Sequence, residues 1–116
     1  MKLEVGMYVR TNKGEIAKIV ADALYLVNID KFKKDGITLR TLRKIDILKA
    51  SYNIIDILEA GDYVNGYPID EIIEYEDNTK AIIIDDIEKT FIQKEQDIKS
   101  VITHEQMEQM AYKVGE

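Results

Sequence analysis

Apolar and polar residues alternate along much of this chain, the pattern of strands that bury one face. Val5, Met7 and Val9 alternate with polar or small neighbours and predict a first strand. Asn12-Lys13-Gly14 is a turn signal, and a second β-prone run follows at residues 15–20. The chain therefore opens with a predicted β-hairpin.

Turn signals and short β-prone runs continue through the rest of the chain. Asn65-Gly66 supplies the positive φ angles of a tight hairpin. Residues 51–58, rich in isoleucine, predict a strand, and residues 41–44 predict a short helical turn. Thr103 and Gln106 fit a capping box, which predicts a short helix over residues 103–112.

The sequence contains an internal repeat. Residues 3–9 read Leu-Glu-Val-Gly-Met-Tyr-Val, and residues 58–64 read Leu-Glu-Ala-Gly-Asp-Tyr-Val. Weaker matches follow, including an Asp-Ile pair at 46–47 and again at 97–98. A repeat of this length indicates two copies of one structural unit.

We therefore expect a mainly β protein made of two tandem small SH3-like or KOW-like β-barrel repeats packed together, with a short C-terminal α-helix. The first repeat covers residues 1–57, the second covers residues 58–102, and the helix and tail cover residues 103–116. A single mixed β-sheet built from both repeats is the alternative architecture.

The two halves carry opposite charge. Residues 1–57 hold 11 Lys or Arg and 7 Asp or Glu, a net charge of +4. Residues 58–116 hold 5 and 15, a net charge of −10. The overall charge of −6 argues against a general nucleic-acid binder, so function is sought in the asymmetry.

The second half holds the candidate partner-binding residues. Its carboxylates fit a mimic of a nucleic-acid backbone, and a tyrosine would serve as the apolar anchor. A divalent-cation site and a solvated polar face are the alternative interpretations. Its isoleucines 72, 73, 82, 83, 84 and 87 are expected to build a core. The proposed acidic face comprises Asp85, Asp86, Glu88, Glu74, Glu76 and Tyr67.

The first half holds an alternative site for an anion or a nucleic acid, because cations cluster there around one aromatic residue. A charged loop that balances the acidic second half is the competing interpretation. The candidate residues are Lys31, Lys33, Lys34, Arg40, Arg43 and Lys44.

Motifs for catalysis are absent from the sequence. There are no cysteines and only one histidine, His104, whose pairing with Glu108 four residues later is too few ligands for a metal site. Phosphate loops, nucleophile elbows and zinc-protease motifs are also missing. We therefore expect a binding protein with no catalytic residues, no metal and no cofactor.

Four segments resemble uncharacterised small accessory proteins of phages and prophages of Gram-positive bacteria. They are Val5–Thr11, Lys49–Asp56, Glu59–Gly66 and the ending from Thr103–Gln106 to Tyr112–Val114. The resemblance implies a phage-encoded protein of the infected host's cytoplasm that counters a host defence system. Its most concrete form is an anti-CRISPR-like inhibitor that blocks a nucleic-acid-binding groove or an interface.

Two other functions stay open. A KOW-type nucleic-acid-binding module would use the basic first repeat, and a sponge for a small anionic nucleotide would use Arg40 and Arg43. The expected partner is a host protein, such as a defence nuclease, with nucleic acid less favoured. No membrane association is expected, and a homo-oligomer stays open.

Overall fold

The computed structural model describes residues 1–30, 32–33, 36–37, 40–111 and 114–115. The chain folds into two compact units, Met1–Ile57 and Leu58–Glu116. Each unit contains a five-stranded antiparallel sheet, and the second also contains a short α-helix. The predicted mainly β class with a C-terminal helix is confirmed.

The first unit builds its sheet from five strands with the spatial order β6-β3-β2-β1-β7. Two further short strands, β4 and β5, pair with each other. Short 3-10 helices cover Lys44–Asp46 and Ile54–Ile57. The strands are β1 (Tyr8–Thr11), β2 (Ile16–Asp22), β3 (Leu26–Ile29), β4 (Phe32–Lys33), β5 (Gly36–Ile37), β6 (Arg40–Arg43) and β7 (Ile47–Ser51).

The core of the first unit lies on one face of this sheet. Buried residues alternate along β2 and β3, as the period-two pattern predicts, whereas Val9, Arg10 and Thr11 of β1 are all buried. The buried cluster consists of Val9, Ala17, Ile19, Val27, Ile29, Leu42 and Ile47.

The second unit has the spatial order β11-β10-β9-β8-β12. A 3-10 helix over Glu95–Asp97 precedes its last strand, and helix α1 (His104–Met110) follows that strand. The strands are β8 (Tyr63–Val64), β9 (Tyr67–Glu74), β10 (Lys80–Ile84), β11 (Phe91–Ile92) and β12 (Val101–Ile102). The buried apolar residues include Leu58, Val64, Ile69, Ala81, Ile82, Ile84 and Ile92.

The two five-stranded sheets have the same strand order. In each, the strand that comes first in the sequence lies between the second and the last. In each, a 3-10 helix leads into the last strand, and the Asp of the Asp-Ile pair ends that helix.

Local chemistry explains two predicted elements that the structure confirms. Asn65 and Gly66 have φ angles of 55° and 86°, which form the tight turn from β8 into β9. Thr103 accepts the N–H of Gln106 on its side chain, and the Gln106 side chain accepts the N–H of Thr103. This capping box starts α1 at His104.

Two predicted elements are wrong. Residues 54–57 form a 3-10 helix rather than a strand, because the Asn53 side chain accepts the N–H of Ile55 and the Asn53 carbonyl accepts that of Asp56. Residues 41–43 belong to β6, and the helical turn begins only at Lys44.

Among the described residues, no helix is long and apolar enough to cross a membrane.

Candidate functional site

The predicted acidic face lies at two opposite ends of the β9–β10 hairpin. Glu74 ends β9 opposite Lys80, and Glu76 lies in the turn between them. Asp85 follows the other end of β10. Five strand residues span about 17 Å. The structure therefore does not bring all five carboxylates together.

Asp85–Thr90, here called the acidic loop, connects β10 to β11. Asp86 organises it: one carboxylate oxygen accepts the N–H groups of Glu88 and Thr90 at 3.1 and 3.0 Å. The other accepts the Thr90 hydroxyl at 2.6 Å. These hydrogen bonds, the hydroxyl's above all, hold the pKa of Asp86 below its ordinary value. Asp86 therefore stabilises the loop's own backbone.

Ile87 lies at the tip of the acidic loop and is 98% exposed. The expectation that it belongs to the core is wrong, because β10 ends at Ile84 and the chain then turns. Lys89 completes the turn with a φ of 55°. Of the other predicted core isoleucines, residues 82 and 84 are buried, and residues 72, 73 and 83 are partly buried.

Tyr67 and Asp85 share one end of the second sheet. Tyr67 starts β9 and is 44% exposed, and the carbonyl of the next residue, Pro68, accepts the N–H of Asp85 at 2.8 Å. The Lys89 ammonium contacts Asp85 at 2.5 Å and Asp70 at 3.4 Å. The hydrogen bond that Lys89 donates to Asp85 is the main cause that raises the pKa of Lys89. The exposed Ile87 thus lies in a loop with three carboxylates and one lysine.

The described basic candidates of the first unit are each paired with a carboxylate. Arg40 contacts Glu15 at 2.5 Å, and Lys44 contacts Asp22 at 2.6 Å. Arg43 donates two hydrogen bonds to Asp46, at 2.9 and 3.2 Å. Lys31 and Lys34 lie outside the described residues, as does the side chain of Lys33.

A cleft of about 200 Å³ lies beside Arg40 and Arg43. Lys13, Glu15 and Asp46 line it as well, so three cations and two carboxylates surround the cleft. Both arginines are ion-paired with these carboxylates, which weakens their attraction for a phosphate or a nucleotide.

A second polar cluster joins the start of the second unit to the start of α1. The Nε2 atom of His104 lies 2.8 Å from Glu59 Oε1 and 3.0 Å from Glu105 Oε1. The hydrogen bond with Glu59 is the main cause that raises the pKa of His104. The partners of His104 are thus Glu59 and Glu105, rather than the Glu108 that helical spacing suggested.

Asp62 holds the backbone of this cluster in place. Its side chain is fully buried and accepts the backbone N–H of Glu59 at 2.7 Å and that of His104 at 2.9 Å. One carboxylate therefore fixes the backbone of two members of the cluster. Sequence reasoning missed Asp62 and Glu59, because their partner His104 lies more than 40 residues away along the chain.

The first unit has a counterpart with different chemistry. Glu4, which matches Glu59 in the repeat, accepts a hydrogen bond from the hydroxyl of Tyr52. That bond chiefly lowers the pKa of Glu4 and raises that of Tyr52. Tyr52 is the first residue after β7, the last strand of its sheet. His104 lies two residues after the end of β12, the last strand of the second sheet.

The first unit also exposes an apolar surface around the β2–β3 turn. Leu24, Tyr25 and Ile45 are all exposed and line a shallow cleft of about 320 Å³. Arg43 and Lys44 lie at its edge. Large exposed apolar side chains of this kind are common at binding surfaces.

Comparison with known proteins gives a partial match. No family model matches the sequence, and no solved structure gives a significant match. The probable cyclin-dependent kinase 10 of Dictyostelium discoideum is 40% identical over 91 residues, which are 74% of this chain and 24% of the kinase. The chain thus spans about a quarter of that relative's length. It lacks the His-Arg-Asp, Asp-Phe-Gly and Ala-Pro-Glu motifs of protein kinases, so the match assigns no catalytic residue here.

Proposed function

We propose that this protein is a phage-encoded, non-enzymatic binding protein that counters a host defence system in the cytoplasm of an infected bacterium. Its most concrete form is an anti-CRISPR-like inhibitor that occupies a basic groove of a nuclease. The exposure of Ile87 at the tip of the acidic loop carries this proposal. The resemblance to small phage proteins supplies the biological setting.

The proposed fold of each unit is an SH3-like barrel. The support is the shared strand order, in which the first strand lies between the second and the last. The 3-10 helix before the last strand of both sheets adds to it. Two copies of such a unit, from one tandem repeat, would give the protein two separate loop-bearing surfaces.

Ile87 supplies the apolar part of the contact. Burying an isoleucine side chain stabilises a complex by roughly 1.5–3 kcal/mol. Asp86, the residue before Ile87, already bonds the backbone N–H groups of Glu88 and Thr90 after it. A loop ordered before binding loses less conformational entropy on association, so more of that free energy appears as affinity.

The charge of the second unit determines which partner fits. Asp85 and Glu88 flank Ile87, and residues 58–116 carry a net charge of −10. Such a surface is attracted at long range to a basic groove, which speeds association and makes it dependent on salt. A host nuclease groove that normally holds a nucleic-acid backbone has this chemistry, with Ile87 seated in an apolar pocket beside it.

The test begins with capture of the partner. The tagged protein is used as bait in a lysate of a Gram-positive host, with and without nuclease treatment, and captured proteins are identified by mass spectrometry. A nucleic-acid-binding host protein that survives nuclease treatment supports the proposal. Partners that disappear with nuclease treatment would contradict it and favour a nucleic-acid-binding module.

The captured partner is then tested against matched variants. Ile87→Ser should weaken its binding roughly 10- to 100-fold, because the apolar anchor is lost. Leu48→Ser is the control, since Leu48 is an aliphatic residue of the first unit that is 59% exposed and lies outside the apolar cleft around Leu24 and Tyr25. Equal affinity of both variants, measured by calorimetry at two salt concentrations, would rule out the acidic loop as the contact.

A further inference from the structure

The side chains of Glu59, His104 and Glu105 converge on one point at the surface of the second unit. One ligand atom from each, an imidazole nitrogen and two carboxylate oxygens, lies within 4.8 Å of the others. Glu59 lies in the segment before β8, whereas His104 and Glu105 begin α1. A contact between distant parts of the chain thus brings Glu59 to the adjacent residues His104 and Glu105.

The backbone that holds these side chains is fixed before any ligand arrives. The buried carboxylate of Asp62 bonds the N–H groups of both Glu59 and His104. Thr103, also fully buried, caps α1 and fixes the position of Glu105 at its first turn. Supporting bonds of this kind orient the residues that bind a metal ion and tune their affinity.

The cluster combines nitrogen and oxygen ligands. The carboxylates of Glu59 and Glu105 contact the imidazole of His104, whereas the carboxylate of Asp62 accepts the His104 backbone N–H. One imidazole and two carboxylates form the mixed ligand set that Zn²⁺ accepts.

The geometry suits a small metal ion. Zn²⁺ binds imidazole nitrogen and carboxylate oxygen at about 2.0–2.2 Å, which places tetrahedral ligand atoms about 3.3 Å apart. His104 Nε2 lies 2.8 and 3.0 Å from the two carboxylate oxygens. Each carboxylate oxygen would have to move only a few tenths of an ångström away from Nε2 to make room for the ion.

The first unit offers a natural comparison. Where the second unit has Glu59, Asp62 and His104, the first has Glu4, Met7 and Tyr52. A neutral phenol and a thioether replace the imidazole and the buried carboxylate. The metal-binding chemistry is therefore specific to the second unit, even though the surrounding turn is the same.

We propose that the second unit binds a divalent transition-metal ion of the zinc class through His104 Nε2 and the carboxylates of Glu59 and Glu105, with the remaining position open to water. An imidazole ligand favours Zn²⁺ over Mg²⁺ or Ca²⁺, which prefer oxygen ligands alone. The site is independent of the acidic loop, so either proposal can fail without the other.

The experiment titrates Zn²⁺ into the tag-free full chain after treatment with a chelator. Calorimetry should show one saturable site per chain, and NMR should show the signals of the single imidazole, His104, moving with the same stoichiometry. Mg²⁺ at the same concentration should move nothing. Absence of saturable Zn²⁺ binding would overturn the proposal and leave the cluster as an ion pair.

Variants identify the ligands. His104→Ala and Glu59→Gln should each weaken Zn²⁺ binding roughly tenfold or more. Glu4→Gln, the matched change in the first unit, should leave the affinity as it is. Amide NMR spectra establish that each variant is folded, and Glu105→Gln replaces Glu59→Gln if the latter is not. Equal affinity in all folded variants would place the ion elsewhere and contradict the site.

Discussion

The two units of this protein share one backbone turn but carry different side chains on it. In both, a Leu-Glu-x-Gly-x-Tyr-Val segment leads into the first strand, and its glycine has a positive φ, 93° at Gly6 and 91° at Gly61. Its glutamate contacts a residue just after the last strand, Tyr52 one residue after β7 and His104 two residues after β12. The backbone is repeated, whereas the side chains at its contact point differ.

A second difference lies in the connection between the third and fourth strands of each sheet. In the first unit this connection is residues 30–39, which contain the strands β4 and β5 and three lysines. In the second unit it is the acidic loop, with Ile87 at its tip. The connection between the third and fourth strands thus contains Lys31, Lys33 and Lys34 in the sequence of the first unit, and Asp85, Asp86 and Glu88 in that of the second.

These differences teach that the sheet and the turn act as a scaffold, and that function differs between copies through a few side chains. If that is right, changes to the shared backbone should affect both units equally. Changes to the side chains specific to one unit should affect that unit alone.

The largest expected effect on stability is at Asp62, a carboxylate that has no counterpart in the first unit. Asp62→Ala leaves the backbone N–H groups of Glu59 and His104 without their acceptor, which should lower the free energy of unfolding by about 3 kcal/mol. Met7→Ala, at the matching position, should cost only about 1 kcal/mol, because Met7 is partly exposed. Urea unfolding, followed by amide NMR signals of each unit, measures both.

The outcome for Asp62 separates two views of the repeat. A loss confined to signals of residues 58–111 would show that Asp62 is a support particular to the second unit. Equal losses for Asp62→Ala and Met7→Ala would mean that the position itself, rather than the carboxylate, stabilises the turn.

The next effect concerns the shared backbone. Gly6→Ala and Gly61→Ala should each destabilise their own unit by about 1–2 kcal/mol, because an L-residue is strained at positive φ. An added Cβ would meet Tyr52 at 3.6 Å and His104 at 3.8 Å, which are ordinary contacts, so strain rather than collision causes the loss. Thermal unfolding of the two variants measures it. A clear loss in only one of them would break the proposed equivalence of the turns.

Local chemistry could be predicted from the sequence, and contacts between distant residues could not. The Asn65-Gly66 turn and the Thr103 capping box involve neighbours in the chain, and the structure confirms both. Isoleucines were misleading: residues 54–57 read as a strand, but hydrogen bonds to Asn53 wind them into a 3-10 helix.

The contact of Glu59 with His104 shows why the candidate site was harder to predict than the fold. Its members are separated by 45 residues, and nothing near either of them signals the other. The repeat did single out Glu59 as a match to Glu4, but the residue that each glutamate meets depends on where the last strand ends. That position follows from the sheet order, which a single sequence does not reveal.

The smallest expected effect is a local response of the acidic loop to pH. In the folded protein the pKa of Asp86 lies below its unfolded value, mainly because its carboxylate accepts the Thr90 hydroxyl. The stabilisation is therefore complete above the unfolded pKa and is lost as the pH falls through the folded pKa. Protonation weakens Asp86 as the acceptor for the N–H groups of Glu88 and Thr90, so both should lose part of their protection against hydrogen exchange.

Amide exchange, expressed relative to the intrinsic rate at each pH, measures this response. In Asp86→Asn, the protection of the Glu88 and Thr90 amides should no longer change with pH. The amide of Thr79 is the internal control and should keep its pH response, because the N–H and hydroxyl of Thr79 donate to Asp77. Asp77, like Asp86, has a lowered pKa because of its threonine. If Glu88 and Thr90 keep their pH response in Asp86→Asn, another group holds the loop, and the ordered presentation of Ile87 would need a different cause.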